Sequence, residues 1–98
     1  MPRIIWSDAS RRDLKLIDRF ISQDNPRAAA TTLRRIHESA KQLEHFPAIG
    51  PIVVADVRFL KARRTPFVII YQIGKGSVQI IRVRHVREDW MPSAPSDN

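Results

Sequence analysis

The chain has 98 residues, enough for one domain and too few for two. At 43% hydrophobic and 28% charged residues it can fold around a core, and with no cysteine it has no disulfide, thiolate metal site or cysteine nucleophile. Seventeen Lys+Arg against ten Asp+Glu give a net charge of +7, concentrated between Arg58 and Arg87, where eight basic side chains meet no acid. Such a field attracts phosphate or an acidic protein. The excess of arginine over lysine favours bidentate recognition of phosphate or carboxylate over bare solubility. The apolar runs are far shorter than the ~20 residues of a membrane span. Asp8 and the charges after it interrupt any signal-peptide core, so a cytoplasmic protein with no membrane association is expected.

Arg3-Ile4-Ile5-Trp6 reads as a first strand. Ser7 and Asp8 are N-cap candidates for a helix from Ala9 to about Gln23, with Ala9, Leu14, Ile17, Phe20 and Ile21 on its apolar face. Asn25 and Pro26 suit the N-cap and first position of a second helix running to about His45, with Ala29, Leu33, Ile36, Ala40 and Leu43 inward. So short a break makes the two an antiparallel hairpin. Phe46–Pro51 is a loop, and beyond it the period changes from 3.6 to 2. Ile52–Leu60 reads as one strand with a bulge near Ala55-Asp56, Lys61–Thr65 as a basic turn, and Pro66–Ile73 as a second strand. Gly74-Lys75-Gly76 turns into a third, Ser77–Val86, with Val78 and Ile80 on one face and Ile81 and Val83 on the other. The expected fold is therefore α+β: an N-terminal strand, a helical hairpin and a three-stranded antiparallel meander, both helices on one face of the sheet. Residues 1–90 form the single domain and 91–98 a flexible tail.

The usual catalytic motifs are absent. His37, His45 and His85 lack ligand spacing, no serine has a nucleophile-elbow context, and nothing calls for a metal or cofactor. Asp13, Asp18, Glu38 and Glu44 are spaced as solvated partners on helix faces. What remains is Arg82, Arg84, His85 and Arg87 at the end of the last strand, with Arg58. By parity Arg82 and Arg84 share one face, His85 and Arg87 the other. His85 is either a core-edge histidine or an acid/base beside phosphate-binding arginines. Phe67, Ile69, Tyr71 and Ile73 alternate with Val68 and Ile70, which makes both faces of their strand apolar. An exposed face rimmed by arginines, Arg63 and Arg64 among them, would dock an amphipathic acidic segment.

In order and spacing the chain resembles the RelE/ParE superfamily of type II toxins. The match runs from Trp6-Ser7-Asp8-Ala9 through Asp13-Leu14-x-x-Ile17-x-x-Phe20-Ile21 and Asn25-Pro26-x-Ala28-Ala29 to Leu43-x-x-Phe46-Pro47-x-x-Gly50. It continues with Val57-Arg58-x-Leu60, Pro66-Phe67-x-Ile69-x-Tyr71, Val83-x-His85-x-Arg87 and Glu88-Asp89-Trp90. Pro51 departs from the arginine that many members carry there. The resemblance implies a small, acidic, partly disordered antitoxin docked on Phe67, Ile69, Tyr71, Arg63 and Arg64, in a toxin–antitoxin hetero-oligomer. It also implies one of two activities. A RelE-like ribosome-dependent mRNA endonuclease would use Arg58, Arg82 and His85, but the lysines and late tyrosine of that set are missing: the chain has four lysines, Lys15, Lys41, Lys61 and Lys75, and no tyrosine after Tyr71. The Val-x-His-x-Arg ending is closer to ParE-like members, non-enzymatic inhibitors of DNA gyrase. On that reading Arg58, Arg82, Arg84, His85, Arg87 and Trp90 touch the target. A plain basic nucleic-acid-binding module is the third class, although no groove-reading element is present.

Overall fold

The computed structural model describes residues 1–90; the tail expected over 91–98 lies outside the described residues. Ser7 caps the first helix as expected, accepting from the Ser10 amide at 3.0 Å, and Ser10 Oγ donates back to Ser7 O at 2.8 Å. This α1 spans Asp8–Ser22 and follows strand β1, Arg3–Trp6. Asn25 accepts from the Ala28 amide at 3.0 Å and Pro26 opens α2, Pro26–Lys41, which tightens into a 3₁₀ turn at Gln42–Glu44. Four strands follow: β2 (Ile52–Val54), β3 (Val57–Lys61), β4 (Phe67–Gly74) and β5 (Ser77–His85).

The sheet has five strands in the order β1-β5-β4-β3-β2, antiparallel except that β1 runs parallel to β5. The segment read as one bulged strand is thus two. Ala55 adopts a left-handed φ of 51° and turns the chain so that Val54 pairs with Val57 and Ile52 with Arg58. The expected turn after Gly74 is present, with Gly76 at φ 66°.

Both helices pack on one face of the sheet. Leu14, Ile36, Ala40 and Leu43 meet Ile69, Tyr71, Val78, Ile80 and Val83 in the core, and Ile4, Trp6, Ile17, Leu33 and Leu60 pack against its margin. Phe20 was expected on the inward face of α1, but it is 75% exposed. On the other face of β4, Val68 and Ile70 are also buried. There Phe59, the cross-strand partner of Ile70, stacks with Trp90 at a centroid distance of 5.0 Å.

Tyr71 ties the core to the loop before β2. Fully buried, it donates from its hydroxyl to Pro47 O at 2.8 Å and accepts from the Gly50 amide at 2.9 Å. Arg58 holds the same loop from its other side, through Gly50 O at 2.7 Å and Ala48 O at 3.2 Å. Gly50 is required here, because a Cβ would lie 2.1 Å from Phe59 O and 2.7 Å from the Tyr71 hydroxyl. Burial raises the Tyr71 pKa above its ordinary 10.0, against the opposing pull of the Gly50 hydrogen bond and of Arg58.

Two outcomes follow from this anchor. Tyr71→Phe leaves the Gly50 amide and Pro47 carbonyl without their partner and should lower stability by about 2 kcal/mol in urea unfolding. Because the folded phenol holds its proton more tightly than the unfolded one, its contribution is complete below pH 10 and is lost as pH rises through the folded pKa. Urea midpoints measured from neutral pH to pH 11 should fall more steeply in the wild type than in Tyr71→Phe.

Candidate functional site

β1 pairs with β5 only from Ser77 to Ile80, so the rest of β5 has an open edge on that side. The start of α1 closes it. The Ser7 amide donates to Ile80 O at 3.0 Å and Ser7 Oγ to Ile81 O at 2.8 Å. Six residues on, Asp13 Oδ2 accepts from the Val83 amide at 2.9 Å and from Arg82 Nε at 2.8 Å, while Oδ1 accepts from Arg82 Nη2 at 2.9 Å. Asp13 is 8% exposed, and the hydrogen bond it accepts is the main cause that raises the Arg82 pKa further. The reading of Asp13 as a solvated helix-face acid is therefore corrected: it is a buried edge cap.

A bulge at Ile81 sets where these side chains point. Ile70 pairs with Arg82 but Tyr71 with Ile80, so β5 carries one extra residue. The bulge returns Val83 to the core face beside Val78 and Ile80, which overturns the simple parity expected along this strand. Arg82 and Arg84 share the outer face, and His85 shares the helix face with its cross-strand partner Phe67.

After β5 the chain hooks back. Glu88 Oε1 accepts from the His85 amide at 2.8 Å, and Oε2 accepts from Arg84 Nη2 at 2.5 Å and Nε at 3.1 Å. The His85 hydrogen bond, then Arg84, hold the Glu88 carboxyl below its ordinary range. The His85 ring packs edge-on to Phe67, 5.4 Å between centroids, and its Nδ1 accepts from the Arg87 amide at 3.0 Å. A neutral imidazole has one lone pair, and this bond uses it. In that tautomer Nε2 carries the hydrogen.

The residues singled out from the sequence do not converge. Arg82, Arg84 and Trp90 meet around an outer-face hollow of about 340 Å³ with Ile70 and Ile81. His85 is on the opposite face, and Arg87 is exposed in the hook. Arg58 pairs with Tyr71, four residues or about 13 Å along β4 from Phe67, and lies two strands across from His85. Phe67, Ile69 and Tyr71 are 8%, 0% and 0% exposed, so the helices cover them, and the open apolar face expected there is absent. Arg63 and Arg64, on the β3–β4 turn, line a separate hollow with Arg34 and Arg35 of α2.

The exposed apolar surface lies elsewhere. Leu16 is 59% and Phe20 75% exposed on α1, and with Ile17, Ile21, Pro66, Phe67 and His85 they form a groove of about 390 Å³. The sequence signal was there: Leu16 and Phe20 are an i,i+4 pair, a second apolar stripe beside the one that faces the core. No cluster of metal-ligating side chains occurs among the described residues.

Residues 4–90 match the family described as the ParE toxin of the type II toxin–antitoxin system parDE. Toxin RelE2 of Caulobacter vibrioides is 33% identical over 85 residues, covering 87% of this chain and 96% of its own. Y4kP of Sinorhizobium fredii is 34% identical over 89 residues, covering 90% and 92% respectively. A chain of the chromosomal ParDE toxin–antitoxin system from P. aeruginosa superposes with a TM-score of 0.75 at 27% identity, covering 87% of this chain and 96% of that one.

Asp13 holds both a buried backbone amide and the arginine Arg82, whose side chain is 40% exposed, so the two partners are unequal. Asp13→Ala should destabilise by about 3 kcal/mol and Arg82→Ala by about 1 kcal/mol. In a double-mutant cycle followed by urea unfolding, Asp13→Ala should remain costly when Arg82 is already alanine, because the Val83 amide still loses its acceptor.

Proposed function

The chain belongs to the ParE toxin family of type II toxin–antitoxin systems, and from that membership we propose that it arrests growth by inhibiting DNA gyrase, without nuclease chemistry, until an antitoxin masks it. The observation that carries this reading is that each of the three candidate groups for RNA cleavage, Arg58, Arg82 and His85, already has a partner within the fold. Cleavage through the 2′-hydroxyl requires a base to take its proton and cations to stabilise the scissile phosphate. Arg58 is bound to loop carbonyls, Arg82 to Asp13, and the His85 lone pair to the Arg87 amide. They also sit on two faces of the sheet, Arg58 on β3 and Arg82 and His85 on β5, with β4 between. The name of the Caulobacter relative, toxin RelE2, is what supports ribosome-dependent mRNA cleavage as the second reading.

Gyrase and the replicating chromosome place this activity in the cytoplasm. The outer-face hollow of Arg82, Arg84, Asp89 and Trp90 is the surface we assign to the target, since it sets an aromatic ring beside two arginines that their partners Asp13 and Glu88 hold in place. The antitoxin is assigned to the α1 groove. Leu16 and Phe20 offer it apolar anchors, and Lys15 and Arg19 beside them on the helix fit an acidic amphipathic segment that folds as it binds.

Purified toxin should block gyrase-driven supercoiling while leaving ribosome-bound mRNA whole, and His85→Ala should keep most of that inhibition. mRNA cut at defined codon positions, with cutting lost in His85→Ala, would establish the second reading instead. Leu16→Asp/Phe20→Asp should still arrest growth but escape its antitoxin, with affinity reduced about 30-fold or more in calorimetry.

A further inference from the structure

The arginines of the sheet half fall into two groups. Arg58, Arg82 and Arg84 are bound to partners within the chain, whereas the guanidinium groups of Arg63 and Arg64 enter none of the salt bridges among the described residues. These two face Arg34 and Arg35 across a hollow of about 320 Å³, completed by Glu38, Ser39 and Gln42. We propose that this hollow binds the phosphodiester backbone of duplex DNA, and that this contact is separate from the target and antitoxin surfaces.

The turn that presents Arg63 and Arg64 is fixed before any ligand arrives. The Arg63 amide donates to Ser39 Oγ at 3.0 Å, which ties the turn to α2, and Arg35 Nη1 donates to Arg64 O at 3.2 Å. Within the turn Lys61 Nζ donates to Thr65 O at 2.7 Å, and Thr65 Oγ1 to Ala62 O at 2.9 Å. Arg64 sits at φ 62°, a conformation an arginine rarely adopts, held by these bonds. Preorganised cations lose less entropy on binding. The one acid present, Glu38, makes only a loose pair with Arg34 at 3.9 Å, with both side chains more than 60% exposed, and competes weakly.

The lining decides the class of ligand. All seven residues are charged or polar, so an amphipathic peptide would find nothing to bury and nothing to offset its ordering. A duplex is already ordered and needs only cations along its backbone, and arginine forks fit phosphate oxygens in pairs. The hollow shares no lining residue with the apolar groove of α1 or with the Arg82–Trp90 hollow. DNA binding therefore depends on neither gyrase nor antitoxin.

The test is fluorescence anisotropy of a labelled 20-base-pair DNA duplex with the full-length chain over a salt series. Arg34→Ala/Arg63→Ala should weaken binding at least about tenfold at low salt and flatten the log–log salt slope by about two. Arg11→Ala/Arg12→Ala, which removes the same charge from the exposed face of α1, should change affinity by less than about threefold. All four arginines are on the surface or nearly so, and circular dichroism should give both variants the wild-type fold. Equal losses in the two double variants, or no loss in the first, would overturn the site. So would poly-glutamate displacing the labelled duplex from the wild type at lower concentration than unlabelled DNA, since the hollow would then select carboxylates.

Discussion

A strand edge that no strand covers governs this molecule. β5 is paired throughout by β4, but β1 stops at Ile80, and beyond it carbonyls and an amide of β5 face the start of α1. Buried backbone groups without partners are costly, so that edge must be closed by side chains. Ser7 and Asp13 do so, which fixes where α1 lies and, through the short break before Asn25, where α2 returns over the sheet. The carboxylate that closes the edge also takes a cation, Arg82, from the outer face. An arginine that would otherwise be free for phosphate chemistry thus becomes part of the scaffold. The same placement stands Leu16 and Phe20 at the end of β5 beside Phe67 and His85, which makes the apolar groove.

The helices were legible because their signals are local. The Ser7 and Asn25 caps, Pro26 and the three- and four-residue recurrence of Leu14, Ile17, Ile36 and Leu43 all act within a few residues. What escaped the sequence depends on distant partners or on backbone conformations without a residue signature. The turn between β2 and β3 uses Ala55 at positive φ, where glycine or asparagine would have announced it. The bulge at Ile81 shifts parity by one residue and nothing in Ile80-Ile81-Arg82 marks it. Asp13 and Arg82 are 69 positions apart, so their pairing is invisible to any periodicity. The apolar faces of β4 were correctly read, but one is covered by the helices and the other carries Phe59 and Trp90 near Ile70. The exposed apolar surface expected from that strand lies on α1 instead.

The family is plain from the order of motifs along the chain, and the site chemistry is not, because motif residues can keep their places while their partners change. His85 is the clearest instance. Its position at the end of the last strand invites an acid/base role, but the hook that follows places the Arg87 amide on its Nδ1 and Glu88 on its amide. Each such bond ties the hook to the end of the strand. The charge left without internal bonds lies chiefly in the arginines of the β3–β4 turn and on the outer faces of the helices.

The exchange rate of the Val83 amide, followed by NMR in deuterated buffer at neutral pH, tests most directly whether Asp13 closes the β5 edge. If it does, the Val83 amide is protected to the level of the β4–β5 ladder amides and opens only with the whole domain, although no strand pairs it on that side. If Val83 instead exchanges as fast as an unpaired edge amide, Asp13 does not hold the strand. The account of a β5 edge closed from α1 would then be contradicted.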